Sequence, residues 1–195
     1  GTVSVNGVRS TGRGPRESTR LGLAFIPEDR LRTGLSPSLP VHANLALKGY
    51  RRAPMSSGPF LKHRVIRAHA EQLVQRFGIK TPSIDTPTRV LSGGNVQKVL
   101  LAREIGDTPH VLIASTPTRG LDVGAIETVR ALLMEAARGG TGVLLITEDL
   151  DEAMALAHRM VVMFEGRIAG EFTRGHYDSE QIGLLMGGHG PEASA

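Results

Sequence analysis

Apolar positions in this 195-residue chain follow two different rhythms. Unbroken apolar runs at 21–26, 111–115 and 143–146 predict short buried strands. Residues 123–137 place Ile126, Val129 and Leu133 on one side of a helix that Gly139 and Gly140 close. Residues 150–158 read as a further helix and 160–164 as a strand. Glu165-Gly166 turns that strand into a hairpin with 167–172. Near the start, Thr2 to Asn6 alternates and meets Gly7, a short strand and turn. Strands alternating with helices predict an α/β domain with a mostly parallel central sheet, and the continuous apolar strands fit a sheet covered on both faces.

Between these regions the rhythm changes. Gly34-Leu35-Ser36-Pro37 and Leu39-Pro40 break regular structure, a short helix is expected over 41–47, and 49–59 reads as a flexible basic segment. Leu61, Val65, Ile66, Ala70, Leu73 and Phe77 form an amphipathic stripe that stops at Gly78. A loop with Pro82 and Pro87 precedes a helix that runs from about Asn95 to Glu104. The expected organisation is a core made of 1–35 and 105–175, a helical lobe over 36–104 and a tail over 176–195. One short helix is expected at 178–186, with marginal order around it.

Composition narrows the picture further. Apolar residues make up 40% and charged residues 22%, which is globular and not disordered. No cysteine is present, so disulfides and thiolate metal clusters are excluded. No apolar run approaches the roughly 18 residues of a membrane span, and no secretory signal opens the sequence. Net charge is +4, with six arginines between Arg9 and Arg32. Such charge could steer nucleic acid or anionic lipid, but a solvated face is favoured. With no tryptophan and two tyrosines there is no stacking platform for single strands, and no nucleic-acid partner is expected. The seven histidines show no metal-ligand spacing.

The most informative stretch is Leu91-Ser92-Gly93-Gly94-Asn95. Ser92 is a candidate N-cap, and the two glycines let a ligand approach the backbone closely. The unpaired amides of a first helical turn, aided by the helix dipole, can hold a phosphate. Lys98, one turn on, either adds charge or lies on the surface. Pro117-Thr118-Arg119-Gly120-Leu121-Asp122 follows the strand at 111–115 directly.

Together with Ile26-Pro27-Glu28-Asp29-Arg30, Val123-Gly124-Ala125 and residues 161–168, these motifs resemble ABC-transporter ATPases over almost the whole chain. The wording from Thr118 to Ala125 looks most like the second ATPase half of importers for simple sugars and nucleosides. The resemblance implies an ABC-type P-loop NTPase core with an inserted helical lobe. Two halves would stack head to tail, each ATP lying between the Walker motifs of one half and the signature of the other. Ser92, Gly93, Gly94 and Asn95 would then contact phosphate. Asp122 matches the D-loop aspartate that couples opposed sites, and it also suits the N-cap of the helix from Val123.

Several family features are absent from these residues. No Gly-x-x-x-x-Gly-Lys-Ser/Thr stretch occurs, and the resemblance places the Walker A region before residue 1. Ser115 and Thr116 stand where Walker B carries Asp and Glu. Neither hydroxyl can serve as a general base or offset the charge of Mg2+. Glu148 occupies the switch position usually held by His, and its acidic neighbours suit a helix start. Glu28 stands near the Q-loop position, where a coupling role and a surface salt bridge are equal expectations. The resemblance also implies that the lobe over 31–90 receives a coupling helix from a permease, with Leu35, Val41 and Leu45 as either contacts or core.

The reading is a degenerate second half that donates its signature to ATP and Mg2+ held by a first half. This chain alone is expected to be inactive. Expected partners are that first half, transmembrane permease subunits and, indirectly, an extracytoplasmic substrate-binding protein. The expected location is the cytoplasmic face of the bacterial membrane. The rival readings are a soluble ABC-type ATPase acting on nucleic acid or the ribosome, and a noncatalytic structural domain.

Overall fold

The computed structural model describes residues 1–189, in two compact units divided between Ile146 and Thr147. In the first unit β1 (Ser4–Val5) and β2 (Val8–Arg9) form a hairpin. Asn6 and Gly7 turn it with φ of 50° and 75°, the left-handed pair that a two-residue hairpin turn demands. Next come α1 (Pro15–Arg20) and β3 (Leu23–Ile26). Asp29 caps a wide π-type turn over Arg30–Gly34, its Oδ1 accepting from the amides of Leu31 and Arg32 at 3.1 and 2.9 Å. The chain continues through α2 (Val41–Ala46), β4 (Ser56–Ser57), β5 (Phe60–Leu61) and α3 (His63–Arg76). The unit closes with α4 (Gly93–Ile105), β6 (Val111–Ser115), α5 (Val123–Arg138) and β7 (Gly142–Ile146).

The sheet runs β3-β6-β7, parallel throughout, with Phe25 opposite Ile113 and Ile113 opposite Leu144. Ala24, Ile26, Leu112 and Ala114 are buried, with α4 packed on β3 and α5 on β7. The alternate residues are barer: Phe25 is 44% exposed, Leu144 54% and Ile146 51%. The expectation of two covered faces therefore holds for one face among the described residues.

α4 is the central element of the first unit. It touches β3, α2, α3, α5 and the Arg30–Gly34 turn. Val96, Val99, Leu100, Leu101, Ala102 and Ile105 are all buried, which explains why its sequence shows no single apolar stripe. Glu104 is also buried, and its Oε2 accepts from the Phe25 amide at 3.0 Å and from Lys48 Nζ at 2.7 Å. Buried Asn44 of α2 fastens the approach to that helix, accepting from the Ser36 amide at 2.8 Å and donating to the Ser36 and Leu39 carbonyls.

One expectation changes and one open choice is decided. Residues 49–59 are not simply a flexible segment: Gly58-Pro59 turns β4 into β5, with Gly58 at φ 58°, and Met55 is buried beside Ala46 and Ile66. Leu35, Val41 and Leu45 are all core residues, with at most 5% of their surface exposed.

The second unit contains α6 (Leu150–Leu156), the antiparallel pair β8 (Arg159–Phe164) and β9 (Arg167–Thr173), and α7 (Ser179–Met186). Ile182 and Leu185 of α7 pack with Met160 and Val162, so the expected short helix is firmly seated. Residues 190–195 of the expected tail lie outside the described residues.

Candidate functional site

The turn Leu91-Ser92-Gly93-Gly94-Asn95 stands at the N-terminus of α4, the helix packed on more sides than any other in its unit. The first helical hydrogen bond runs from the Val96 amide to the Ser92 carbonyl at 2.9 Å. The amides of Gly93, Gly94 and Asn95 precede it, and no side chain caps them. Ser92 and Gly93 are exposed. Three donors at the positive end of a helix dipole suit an anion.

Ser92 occupies the N-cap position, but its side chain does not cap. Asn95 explains why: its Oδ1 accepts from the Lys80 amide at 2.7 Å, which turns its Nδ2 toward Ser92 Oγ at 2.9 Å. The serine hydroxyl is thus held in place, with its own proton free to donate. Lys98 is not part of the turn. It donates to the Gly78 carbonyl at 3.1 Å, at the end of α3.

Gly94 has a second reason to be glycine. A Cβ there would lie 3.0 Å from the Cβ of Ala125, whereas one at Gly93 would meet only ordinary contacts. The turn is therefore pressed against the start of α5. Asp122 caps that helix, its Oδ1 accepting from the Ala125 amide at 2.9 Å. The N-cap reading of Asp122 is what the structure displays, and it sets the carboxylate beside the loop that faces the turn.

Two arginines that sequence reasoning did not single out lie between the segments, one joining them through a main-chain atom and the other forming an exposed surface pair. Arg30 donates to the Arg119 carbonyl, and Arg119 pairs through its side chain with Glu28. Of the two readings for Glu28, the surface salt bridge is present. No periodicity marks these arginines; only their place inside the quoted motifs could have.

Ser115 ends β6, opposite Ile146. Thr116 follows with φ 42°, a conformation costly for a β-branched residue, and its buried Oγ1 has no partner among the described residues. Its amide donates to the Ile146 carbonyl at 2.7 Å. Glu148 belongs to the second unit, exposed in the bend before α6, where Asp149 accepts from the Glu152 amide and forms the expected helix start. Among the described residues no group of three or more His, Cys, Asp or Glu side chains could hold a metal ion. A groove of about 610 Å³ lies elsewhere in the first unit, lined in part by Phe25, Pro27, Leu35, Leu47, Lys48 and Glu104.

This arrangement has the fold of an ABC ATPase cassette. Over 91% of the chain and 75% of the other protein, it is similar to the ATP-binding cassette MJ0796 in a dimeric post-hydrolysis state bound to ADP and Pi, with a TM-score of 0.74 at 21% identity. A second dimeric structure of that bacterial ABC transporter cassette gives 0.73.

The sequence relatives are more specific. The chain is 43% identical over 192 residues to the glucose import ATP-binding protein TsgD13 of Haloferax volcanii, covering 97% of the chain and 35% of the relative. It is 40% identical to the guanosine import ATP-binding protein NupO of Bacillus subtilis, covering 96% and 37%. For the nucleoside import ATP-binding protein NupA of Lactococcus lactis the identity is 38%, with the same coverage. The chain thus spans about a third of the length of these curated relatives. No family model matches it.

Proposed function

We propose that this chain is the degenerate second ATPase half of an importer for nucleosides or simple sugars, and that it donates its signature turn to ATP held by a first half. The single observation that carries this reading is the turn at the head of α4, where three amides without a side-chain cap among the described residues stand beside the held Ser92 hydroxyl. Relatives named for guanosine, nucleoside and glucose import support the substrate class.

The donors present suit phosphate and do not suit magnesium. Backbone amides and a hydroxyl match phosphate oxygens. At the Walker B position, Ser115 and Thr116 offer no carboxylate, so Mg2+ belongs with the first half in this reading. ATP supplies the hydrolysable phosphoanhydride when bound. The amides of Gly93, Gly94 and Asn95 would hold its outer oxygens by hydrogen bonds, and the Ser92 hydroxyl would donate a further hydrogen bond to them. Asp122 holds α5 against this turn and couples the two opposed sites. The reciprocal site, built on Ser115 and Thr116, is slow or silent.

The same reading makes 1–35 with 105–175 the ATPase core, 36–104 the signature lobe and 176–195 a tail. The groove beside Phe25, Leu35 and Leu47 suits a permease coupling helix, with an extracytoplasmic binding protein delivering substrate to that permease. Among the described residues no helix is long and apolar enough to cross a membrane, and the proposed location is peripheral, at the cytoplasmic face.

The test is ATP turnover of the complete two-half protein carrying S92R. A long cation in place of the hydroxyl blocks closure, and turnover is expected to fall about 100-fold, the scale of losing an aligned transition-state donor. Near-normal turnover rejects the donated signature.

A further inference from the structure

One guanidinium lies where three stretches of the first unit meet. Arg30, in the π-type turn after β3, donates Nη2 to the backbone carbonyl of Arg119 in the loop after β6. Its Nη1 lies 3.6 Å from where a Gly93 Cβ would sit, and Leu121 Cδ2 approaches the same point at 3.8 Å. Burial pushes the Arg30 pKa below the usual guanidinium value. Among the described residues it makes no ion pair.

This is a demanding position for a cation. The positive end of a helix repels it, partial withdrawal from water costs it hydration, and no carboxylate compensates. What holds it is a backbone carbonyl. That carbonyl immediately precedes Gly120, at φ 67° with nothing within 4 Å of where a Cβ would sit, in a turn closed by the Leu121 amide on the Thr118 carbonyl at 3.2 Å. The Arg119 side chain takes another direction, to Glu28, in a pair with both members more than half exposed. Exposed pairs of this kind contribute little.

We propose that Arg30 is a positioning residue of the signature half-site, latching the Arg119 carbonyl so that the loop ending at Asp122 and the turn at Gly93 move as one piece. This rests on the function proposed above. The link runs through a main-chain atom, so the Arg119 side chain is dispensable to it. Losing the latch leaves the loop held by its own turn hydrogen bonds alone and lets Asp122 fall out of step with the turn at Gly93 when the halves close. Nucleotide capture by the first half is unaffected, and turnover slows.

The experiment is steady-state MgATP hydrolysis by the complete two-half ATPase assembled with its permease. R30M, R30K, R119M and S92R are compared with the parent, and the melting midpoint of each is recorded. R30M is expected to lower kcat at least tenfold, with KM for MgATP within twofold and the melting midpoint unchanged. R119M should stay within twofold of the parent. R30K retains a donor for the carbonyl and should keep at least a third of the parent kcat.

A kcat for R30M within twofold of the parent overturns the latch. So does an equal loss in R119M, a KM that rises in step, or a loss explained by a lower melting midpoint. If R30M does not fold, R30K decides: a third or more of the parent kcat supports the latch, and less overturns it. S92R separates the two levels. Normal turnover in S92R removes the half-site reading itself, whereas an inactive S92R beside a normal R30M removes the latch alone.

Discussion

Replacing Glu104 should cost this fold more than replacing either of its charged partners. The carboxylate side chain is 4% exposed, while that of Lys48 is 26% exposed. It accepts from the Phe25 amide and Lys48 Nζ through Oε2, and from Arg103 Nε at 2.9 Å through Oε1. In E104A the part-buried Phe25 amide loses its acceptor, at a cost of about 1 kcal/mol. Arg103, whose side chain is 10% exposed, loses its counter-charge in the same step. Breaking a buried pair from one side typically costs about 3 to 5 kcal/mol in all.

E104Q keeps an acceptor for Phe25 but sets a neutral amide against two cations, and should cost about 1 to 3 kcal/mol. K48M leaves the carboxylate with its other two donors and should cost about 1 kcal/mol. The expected order is therefore E104A, E104Q, K48M. Because total stabilities of domains run about 5 to 15 kcal/mol, the first of these should be visible as a large shift in urea midpoint. With no tryptophan in the chain, far-ultraviolet circular dichroism is the suitable probe. An E104A protein within about 1 kcal/mol of the parent, or a K48M protein as weak as E104A, refutes the reasoning.

Two further predictions test the turn and the lobe. G94A must push Ala125 away by a few tenths of an ångström and should cost about 1 to 2 kcal/mol. G93A should be near neutral, and A125G should rescue G94A; equal effects of G93A and G94A in urea titrations would show that the close approach does not matter. At Asp85, a hydrogen bond from Arg67 (Nη2 to Oδ2, 2.8 Å) holds the carboxyl below its usual range, with the charge of Arg67 adding to it. A lowered folded-state pKa stabilises the protein above the unfolded value near 3.9 and is lost as pH falls through the folded value. The melting difference between the parent and R67M should therefore be constant from neutral pH to about 5 and shrink below about 4. A difference that persists unchanged to strongly acid pH would show that the pair contributes through packing alone.

The elements of this fold were legible wherever local pattern dominates. The apolar run at 111–115 coincides with β6, and Ile126, Val129 and Leu133 lie on the stripe of α5, with Val129 and Leu133 buried. Gly58-Pro59 passed for flexible sequence because a two-residue turn between two-residue strands leaves no periodicity to read. The start of α4 at Gly93 agrees with Ser92 as the candidate N-cap, whereas the apolar pattern becomes regular only after Asn95, because glycines in a first turn leave no periodicity to read.

At the candidate site, the motif located the turn and Asp122 but not what joins them. Gly94 meets Ala125 across 31 positions of sequence, and Arg30 reaches Arg119 across 89, separations at which no spacing rule operates. Leu35, Val41 and Leu45 show the complementary limit. Their types fit a partner surface and a core equally well, and only the burial of each decides for the core.

α4 has almost no solvent-facing side, and this constrains how its first turn can travel. A surface helix can bend, slide or fray to bring its tip toward a partner. A rod gripped on all flanks by β3, α2, α3 and α5 has none of these freedoms. Any advance of Ser92 therefore carries β3 and α5 along with α2 and α3, as one packed body, and is not a bending of the glycines at the tip of the helix.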